Sequence, residues 1–340
     1  MMRKKATQKI ILFFFLLAAT VICTMTACDS RTLRGDQGDI QSTSGQAPAI
    51  SSEQKPVATK TVSHSLGQTE IPLHPERIVV LDAHNDFLLD GLLALGIKPI
   101  GLTRCSNCLN FDPFSIVVGN LPSVGTGDQP SLEKILMLKP DLILGYWWQE
   151  SFYPQLSEIA PTVMMDTYAG GNDFKRNFRR LAEILDKNDQ AECILAEYDE
   201  RLQKFQQQFG EKLKTKTVSL LMFFGANFHV YGPKNHAFAG VMSDAGIQFI
   251  PAYKSLGHDA LFNMSLEVLP DWDADFLFVG LYHDEDSPDE FESVLKQPLW
   301  STLEAVQNEQ VYVITEIPSG GPIGSTQFID ELSDYFSNKL

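Results

Sequence analysis

The chain has 340 residues, 44% of them hydrophobic, 21% charged and 10% aromatic, which suits one large domain or two ordinary ones and is too apolar for a disordered tail. Its 27 Lys and Arg stand against 43 Asp and Glu, a formal charge of −16. That balance excludes the basic footprint of a nucleic-acid binder and disfavours adsorption to an anionic membrane surface. Five cysteines are too few for a disulfide scaffold.

Residues 1–27 read as a signal peptide. Arg3, Lys4, Lys5 and Lys9 precede the apolar run Ile10–Ala19, which is shorter than the ~20 residues a membrane-spanning helix needs. Met25-Thr26-Ala27-Cys28 is similar to a bacterial lipobox, with Met where Leu is usual, and marks Cys28 for lipidation. Removing these 27 residues, with four bases and no acid, leaves a charge of −20. Residues 28–60 are rich in Ser, Gln, Gly and Pro and carry no aromatic residue, the composition of a flexible tether behind a lipid anchor.

From Arg77 onward, short apolar runs alternate with helical patterns. Strands are predicted over Arg77–Leu81, Lys98–Leu102, Asp141–Gly145 and Thr162–Asp166. Helices are predicted over Asp86–Leu95, stopped by Gly96, and over Leu132–Leu138. Such near-continuous apolar strands between helices indicate βαβ units around a parallel sheet. Asn172–Phe209 then runs for 38 residues without Gly or Pro, its apolar residues recurring every three or four. Asn172 or Asp173 can cap this helix and Gly210 can end it, and the polar stretch Asp186–Gln190 is where it would kink. Strands follow at Thr217–Phe224, Phe276–Val279 and Val311–Ile314, with a helix at Phe238–Ala245 stopped by Gly246.

The two halves share a pattern. Ser131-Leu132-Glu133 precedes the strand at Asp141 by the same interval as Ser265-Leu266-Glu267 precedes that at Asp275, and Leu95-Gly96-Ile97 echoes Ala245-Gly246-Ile247. The expected organisation is an α/β fold of two lobes, residues 61–171 and 211–340, joined by one long helix over 172–210. A ligand then belongs in the cleft, at the carboxyl ends of the strands.

Several blocks carry a family resemblance: Ile71-Pro-x-x-Pro-x-Arg77-Ile-Val-Val, Val124-Gly-Thr, Gln129-Pro-Ser-Leu-Glu133-Lys-Ile-Leu-x-Leu-Lys-Pro140-Asp-Leu-Ile-Leu144 and Leu156-Ser-x-Ile159-Ala-Pro-Thr-Val163. Further along come Tyr231-Gly-Pro, Pro298-Leu-Trp300-x-x-Leu-x-Ala-Val306 with Val311-Tyr312, and Gly320-Gly-Pro-Ile-Gly324. Together they resemble the periplasmic substrate-binding proteins of iron–siderophore ABC importers. The resemblance implies a class III periplasmic binding protein with two Rossmann-like lobes. It further implies a monomer, lipid-anchored outside the cytoplasmic membrane, that captures a ferric siderophore, uses no cofactor and delivers its cargo to an ABC permease. Glu133 and Glu267 match the glutamates by which such proteins dock on permease arginines; each also reads as a helix-start carboxylate behind a capping Ser.

A ferric chelate presents polar or anionic edges around an apolar body, so its site should combine aromatic walls with donors. Tyr146, Trp147 and Trp148 directly follow a strand and are expected as a pocket wall. Tyr168 and Arg104 follow two more strands, Arg104 as partner for carboxylate or hydroxamate oxygens. In the second half the candidates are Asn227, His229, His258, Tyr282 and His283, with His258 or His229 as a possible direct iron ligand. Ferric-citrate and hydroxamate binders often carry Arg where this chain has Gly127, which leaves Arg104 as the anion clamp.

Cys105-Ser-Asn-Cys108 lacks the flanks of a thioredoxin motif and the second pair of a zinc site, so a local disulfide between Cys105 and Cys108 is favoured outside the cytoplasm. Cys193 falls in the long helix and is expected to be buried and inert. Alternative cargoes are haem, cobalamin, or a zinc or manganese ion, for which His84 stands near the relevant strand end. An enzyme with a two-lobed α/β cleft is a different class of answer. No G-x-S-x-G, H-E-x-x-H or Walker A motif supports it, and Pro130 spoils the dinucleotide fingerprint of Gly125-x-Gly127.

Overall fold

The computed structural model describes residues 58–82, 87–104, 121–168, 173–224, 227–256, 260–281, 287–314 and 319–340. Within them the apolar runs assemble into two sheets. The first half gives β1 (Thr59–His64), β2 (Gly67–Pro72), β3 (Ile78–Val80), α1 (Phe87–Ala94), β4 (Gly101–Arg104) and β5 (Ser123–Thr126). These are followed by α2 (Leu132–Leu138), β6 (Leu142–Tyr146), a 3₁₀ turn (Trp147–Phe152), α3 (Tyr153–Ile159) and β7 (Thr162–Met165). β3 to β7 form an all-parallel sheet in the order β5-β4-β3-β6-β7. The strand order reverses between β3 and β6, which is where doubly wound sheets open a crevice at their carboxyl ends.

β4 begins at Gly101 rather than Lys98, because Pro99 has no N–H to give a ladder. The β1–β2 hairpin has no counterpart among the expected strands, and it starts at Thr59, inside the run read as tether. It covers the open edge at β7: Ser65 donates through N and Oγ to the Met164 carbonyl at 3.2 and 2.8 Å, and Thr69 Oγ1 donates to that of Thr162 at 3.0 Å.

The long helical pattern is two helices, α4 (Phe174–Ile184) and α5 (Asn188–Leu213, 26 residues). Asp173 caps α4 by accepting from the N–H groups of Lys175 and Arg176. The break falls at the start of the polar stretch, where Asp186 takes a left-handed φ of 57°. Cys193 is exposed on α5, contrary to expectation: the buried stripe runs through Ala191, Leu195, Tyr198 and Leu202, and position 193 points off it.

The second half contributes β8 (Thr217–Phe224), β9 (Asn227–Tyr231), α6 (Ala237–Asp244), β10 (Gln248–Phe249), α7 (Tyr253–Leu256) and β11 (Ala260–Met264). A 3₁₀ helix (Leu266–Trp272), β12 (Phe276–Leu281), α8 (Ser287–Leu295), a 3₁₀ turn (Trp300–Thr302), α9 (Glu304–Gln307), β13 (Val311–Ile314) and α10 (Pro322–Lys339) complete it. The sheet order is β11-β9-β8-β12-β13, with β10 beside the start of β8. β8, β12 and β13 are parallel, but β9 runs antiparallel to both its neighbours, so this sheet is mixed.

The sequence echo has a structural basis. Gly96 and Gly246 both end helices with positive φ (70° and 80°), and the next residue's N–H returns to the carbonyl of Leu92 or Met242. Asp141 accepts from the N–H groups of Glu76 and Arg77 and so fixes the start of β3 against β6. Asp275 does the same for β8 against β12, accepting from Thr217 N and Lys216 Nζ. The largest apolar core draws residues from both sheets and from α1, α4, α5, α6 and α10. α10 lies against α1, α4, α5 and α6, and Phe328 and Phe336 pack on Phe238 and Phe276 with ring centroids 4.8 and 5.2 Å apart.

Candidate functional site

The three successive aromatics after β6 divide their tasks. Tyr146 is buried, and its hydroxyl donates to Asp82 Oδ1 at 2.6 Å, joining the carboxyl ends of β6 and β3. Trp148 is half-buried and stacks on Tyr146, centroids 5.8 Å apart and planes within 9°. Trp147 is 42% exposed. Backbone geometry forces this division, because the 3₁₀ turn that starts at Trp147 rotates successive side chains by about a third of a turn. Tyr146 therefore lies beneath the wall rather than in it.

Gln149, which has no precedent among the sequence candidates, secures the turn. Its Oε1 accepts from Tyr146 N at 2.9 Å and its Nε2 donates to the Gly127 carbonyl at 2.8 Å, tying the loop after β5 to the end of β6. Gly125, in β5 just ahead of that loop, must be glycine: its φ is 105°, and a Cβ there would come within 2.4 Å of the Gln129 carbonyl oxygen.

Arg104 ends β4 opposite Thr126, half-buried, with its guanidinium 3.5 Å from the Leu121 carbonyl. Tyr168, beyond β7, is 50% exposed while its backbone N–H donates to Asp166. Burial raises the phenols of Tyr168 and of Tyr231, on β9, above their ordinary pKa, and the Tyr168 phenolate would add to the effect at Tyr231. At the end of β8, Phe224 is 48% exposed and pairs with Asn227 across the strands. His229 is buried, its ring edge-on to Phe224 and its Nε2 3.4 Å from the Phe224 carbonyl. The structure thus places Trp147, Tyr168 and Phe224 as exposed aromatics at or just beyond three strand ends, and sets His229 into the second sheet behind Phe224.

His236, just ahead of α6, was not among the sequence candidates. It packs between Tyr231 and Phe238, centroids 5.2 and 5.0 Å away, and burial lowers its pKa to about 4. The candidates His258, Tyr282 and His283, the cysteines Cys28, Cys105 and Cys108, and His84 lie outside the described residues. Among the described residues, no group of three or more His, Cys, Asp and Glu could hold a metal ion.

Glu133 and Glu267 are both exposed, at the starts of α2 and of the 3₁₀ helix. Ser131 caps α2 by accepting from Lys134 N, whereas Ser265 hydrogen-bonds Glu267 and lowers its carboxyl pKa. Glu133 shares α2 with exposed Leu136 and Met137, and Glu267 adjoins exposed Val268. A hollow near Glu70, His74, Glu76 and Asp141 lies at the opposite, amino end of the first sheet, where both Asp141 oxygens already accept from the backbone.

The periplasmic binding protein family model matches residues 78–318, from β3 to the segment before α10. The chain belongs to this family. Among its members, the "Probable siderophore-binding lipoprotein YfiY" of Bacillus subtilis is 31% identical over 341 residues, covering 96% of this chain and 97% of its own. The structure of Staphylococcus aureus SirA complexed with staphyloferrin B superposes with a TM-score of 0.70 at 28% identity, covering 82% of this chain and 99% of that one. The fold alone is shared with Bacillus subtilis FeuA complexed with ferri-bacillibactin, at TM-score 0.69 and 21% identity, over 82% of this chain and 98% of that one. This periplasmic binding protein therefore has the two-sheet α/β architecture of class III members.

Proposed function

We propose that this periplasmic binding protein captures a ferric siderophore at the carboxyl ends of its two sheets and hands it to an ABC permease as cargo. The observation that carries the reading is the placement of Trp147, Tyr168 and Phe224 as exposed aromatics at the carboxyl ends of three strands drawn from both sheets. Aromatic rings offer apolar area and phenol donors to a chelate with polar edges. Arg104 supplies a cation at the end of β4. Glu133 and Glu267 serve as paired carboxylates for permease arginines, and Cys28 as the lipidated residue that keeps the chain at the outer face of the cytoplasmic membrane. The protein acts as a binder, not an enzyme.

The test is quenching of tryptophan fluorescence by ferric staphyloferrin B, ferric achromobactin, ferric citrate, haem and cobalamin. Saturable quenching by a ferric chelate, weakened by Trp147→Ala and Arg104→Ala, supports the reading. Saturable quenching by haem or cobalamin alone overturns the siderophore assignment.

A further inference from the structure

The Gly-Gly-Pro-Ile-Gly run at 320–324 has no part in the site described above, yet its glycines surround a buried carboxylate from the other end of the chain. Asp90, on α1, is fully buried and accepts from the N–H groups of Ile323 and Gly324 at 2.9 Å each, and from the Ser319 hydroxyl. These are the first free N–H groups of α10, the place where a helix favours negative charge. A Cβ on Gly321 would come within 2.4 Å of the Asp90 carboxyl carbon, and one on Gly324 within 2.0 Å of the Ser319 carbonyl. Neither position admits a side chain without moving the carboxylate or its donors.

A second set of contacts runs the other way from the same turn of α1. Leu89 donates its N–H to Asp82 Oδ2 at 2.8 Å, Asp82 Oδ1 accepts from Tyr146, and Trp148 stacks on Tyr146. We infer that Asp90 is a positioning residue: it fixes where α10 begins against α1 and, through Leu89 and Asp82, holds the Tyr146 platform that carries Trp148. The Gly320–Gly324 run is its receptacle. Because α10 also lies against α5 and α6, the carboxylate ties the first sheet's aromatic wall to a helix shared with the second half.

The groups around Asp90 define how it titrates. Asp82 is the charged neighbour, before α1, and pushes its pKa up. The first turn of α10 offers donors and no acid, while α4 offers Leu181 and Phe178, packed over Gly91. Burial outweighs the three donors and raises Asp90 to about 6. Protonation then removes a like charge from beside Asp82 and weakens the hold on α10.

The test follows tryptophan fluorescence of the unliganded full chain between pH 5 and 8. The wild type should change emission with a midpoint near 6, Asp90→Asn should abolish that transition, and Trp148→Phe should remove most of its amplitude. Ser319→Ala, which deletes one donor to the carboxylate, should move the midpoint upward and serves if Asp90→Asn fails to fold. An unchanged midpoint in Ser319→Ala, a transition that survives in Asp90→Asn, or full amplitude in Trp148→Phe would overturn the inference. No chelate enters the measurement, so its outcome is independent of what the cleft binds.

Discussion

Tyr146 and Asp82 meet 2.6 Å apart at the point where the first sheet reverses its strand order, and both are buried there. A buried carboxylate is tolerated only with donors, and Asp82 accepts from the Tyr146 hydroxyl and the Leu89 N–H. The pair therefore sets the floor beneath the candidate ligand wall.

Tyr146→Phe should cost about 1–3 kcal/mol of stability, because it leaves a buried carboxylate oxygen short of a donor while barely changing volume. A urea-denaturation cycle of Tyr146→Phe, Asp82→Asn and the double variant checks this. The double variant should cost less than the two singles combined; strict additivity would mean the pair is not coupled.

Trp147 and Trp148 should separate binding from folding. Trp147 is exposed, so Trp147→Ala should change stability by less than about 0.5 kcal/mol and weaken chelate binding several-fold. Trp148 stacks on Tyr146 and packs on the core, so Trp148→Ala should lower the melting temperature as well. Calorimetric titration and thermal melts on both variants decide the matter, and equal melting temperatures would contradict it.

His236 should make the fold acid-sensitive in a defined window. Burial lowers its pKa from 6.5 to about 4, so the unfolded chain takes up the proton first. The stability it contributes is complete above pH 6.5 and is lost as pH falls towards 4. Asp90 works with the opposite sign: raised from 3.8 to about 6, it favours the folded state at low pH, and that advantage fades as pH rises through 6. His236→Gln should therefore flatten the acid side of the stability profile and Asp90→Asn should steepen it. Urea midpoints at pH 4.5, 5.5 and 6.5 would show whether the two changes go in opposite directions.

Glu133→Lys and Glu267→Lys should leave melting temperature and chelate affinity nearly unchanged, since both carboxylates are exposed. Each should reduce chelate-stimulated ATP hydrolysis by the reconstituted permease. Full stimulation in the double variant would rule out both as docking residues.

Much of the architecture was legible one segment at a time. The apolar runs at Thr217–Phe224 and Val311–Ile314 and the helix at Leu132–Leu138 sit where their periodicity places them, because burial on both faces of a sheet, or on one face of a helix, leaves a local signature. The paired glycine stops at 96 and 246 were equally readable, since only a residue without Cβ takes positive φ there at no steric cost. The β1–β2 hairpin was not legible, for its strands are mostly polar and gain their place by covering the edge at β7. Nor was the antiparallel β9, since strand direction leaves no mark in an apolar run.

At the candidate site, composition determined that aromatics follow β6, and the family blocks determined where carboxylates and glycines recur. Which aromatic is exposed was decided by the 3₁₀ turn, which sends Tyr146 inward to Asp82 and Trp147 outward. The task of Gly320–Gly324 was decided further away still. Residues 90 and 321 are separated by most of the chain, and only the seating of α10 on α1 brings a buried charge to a helix start that can hold it. Local chemistry sets what each segment can form; which distant carboxylate meets which free N–H is a property of how the helices pack.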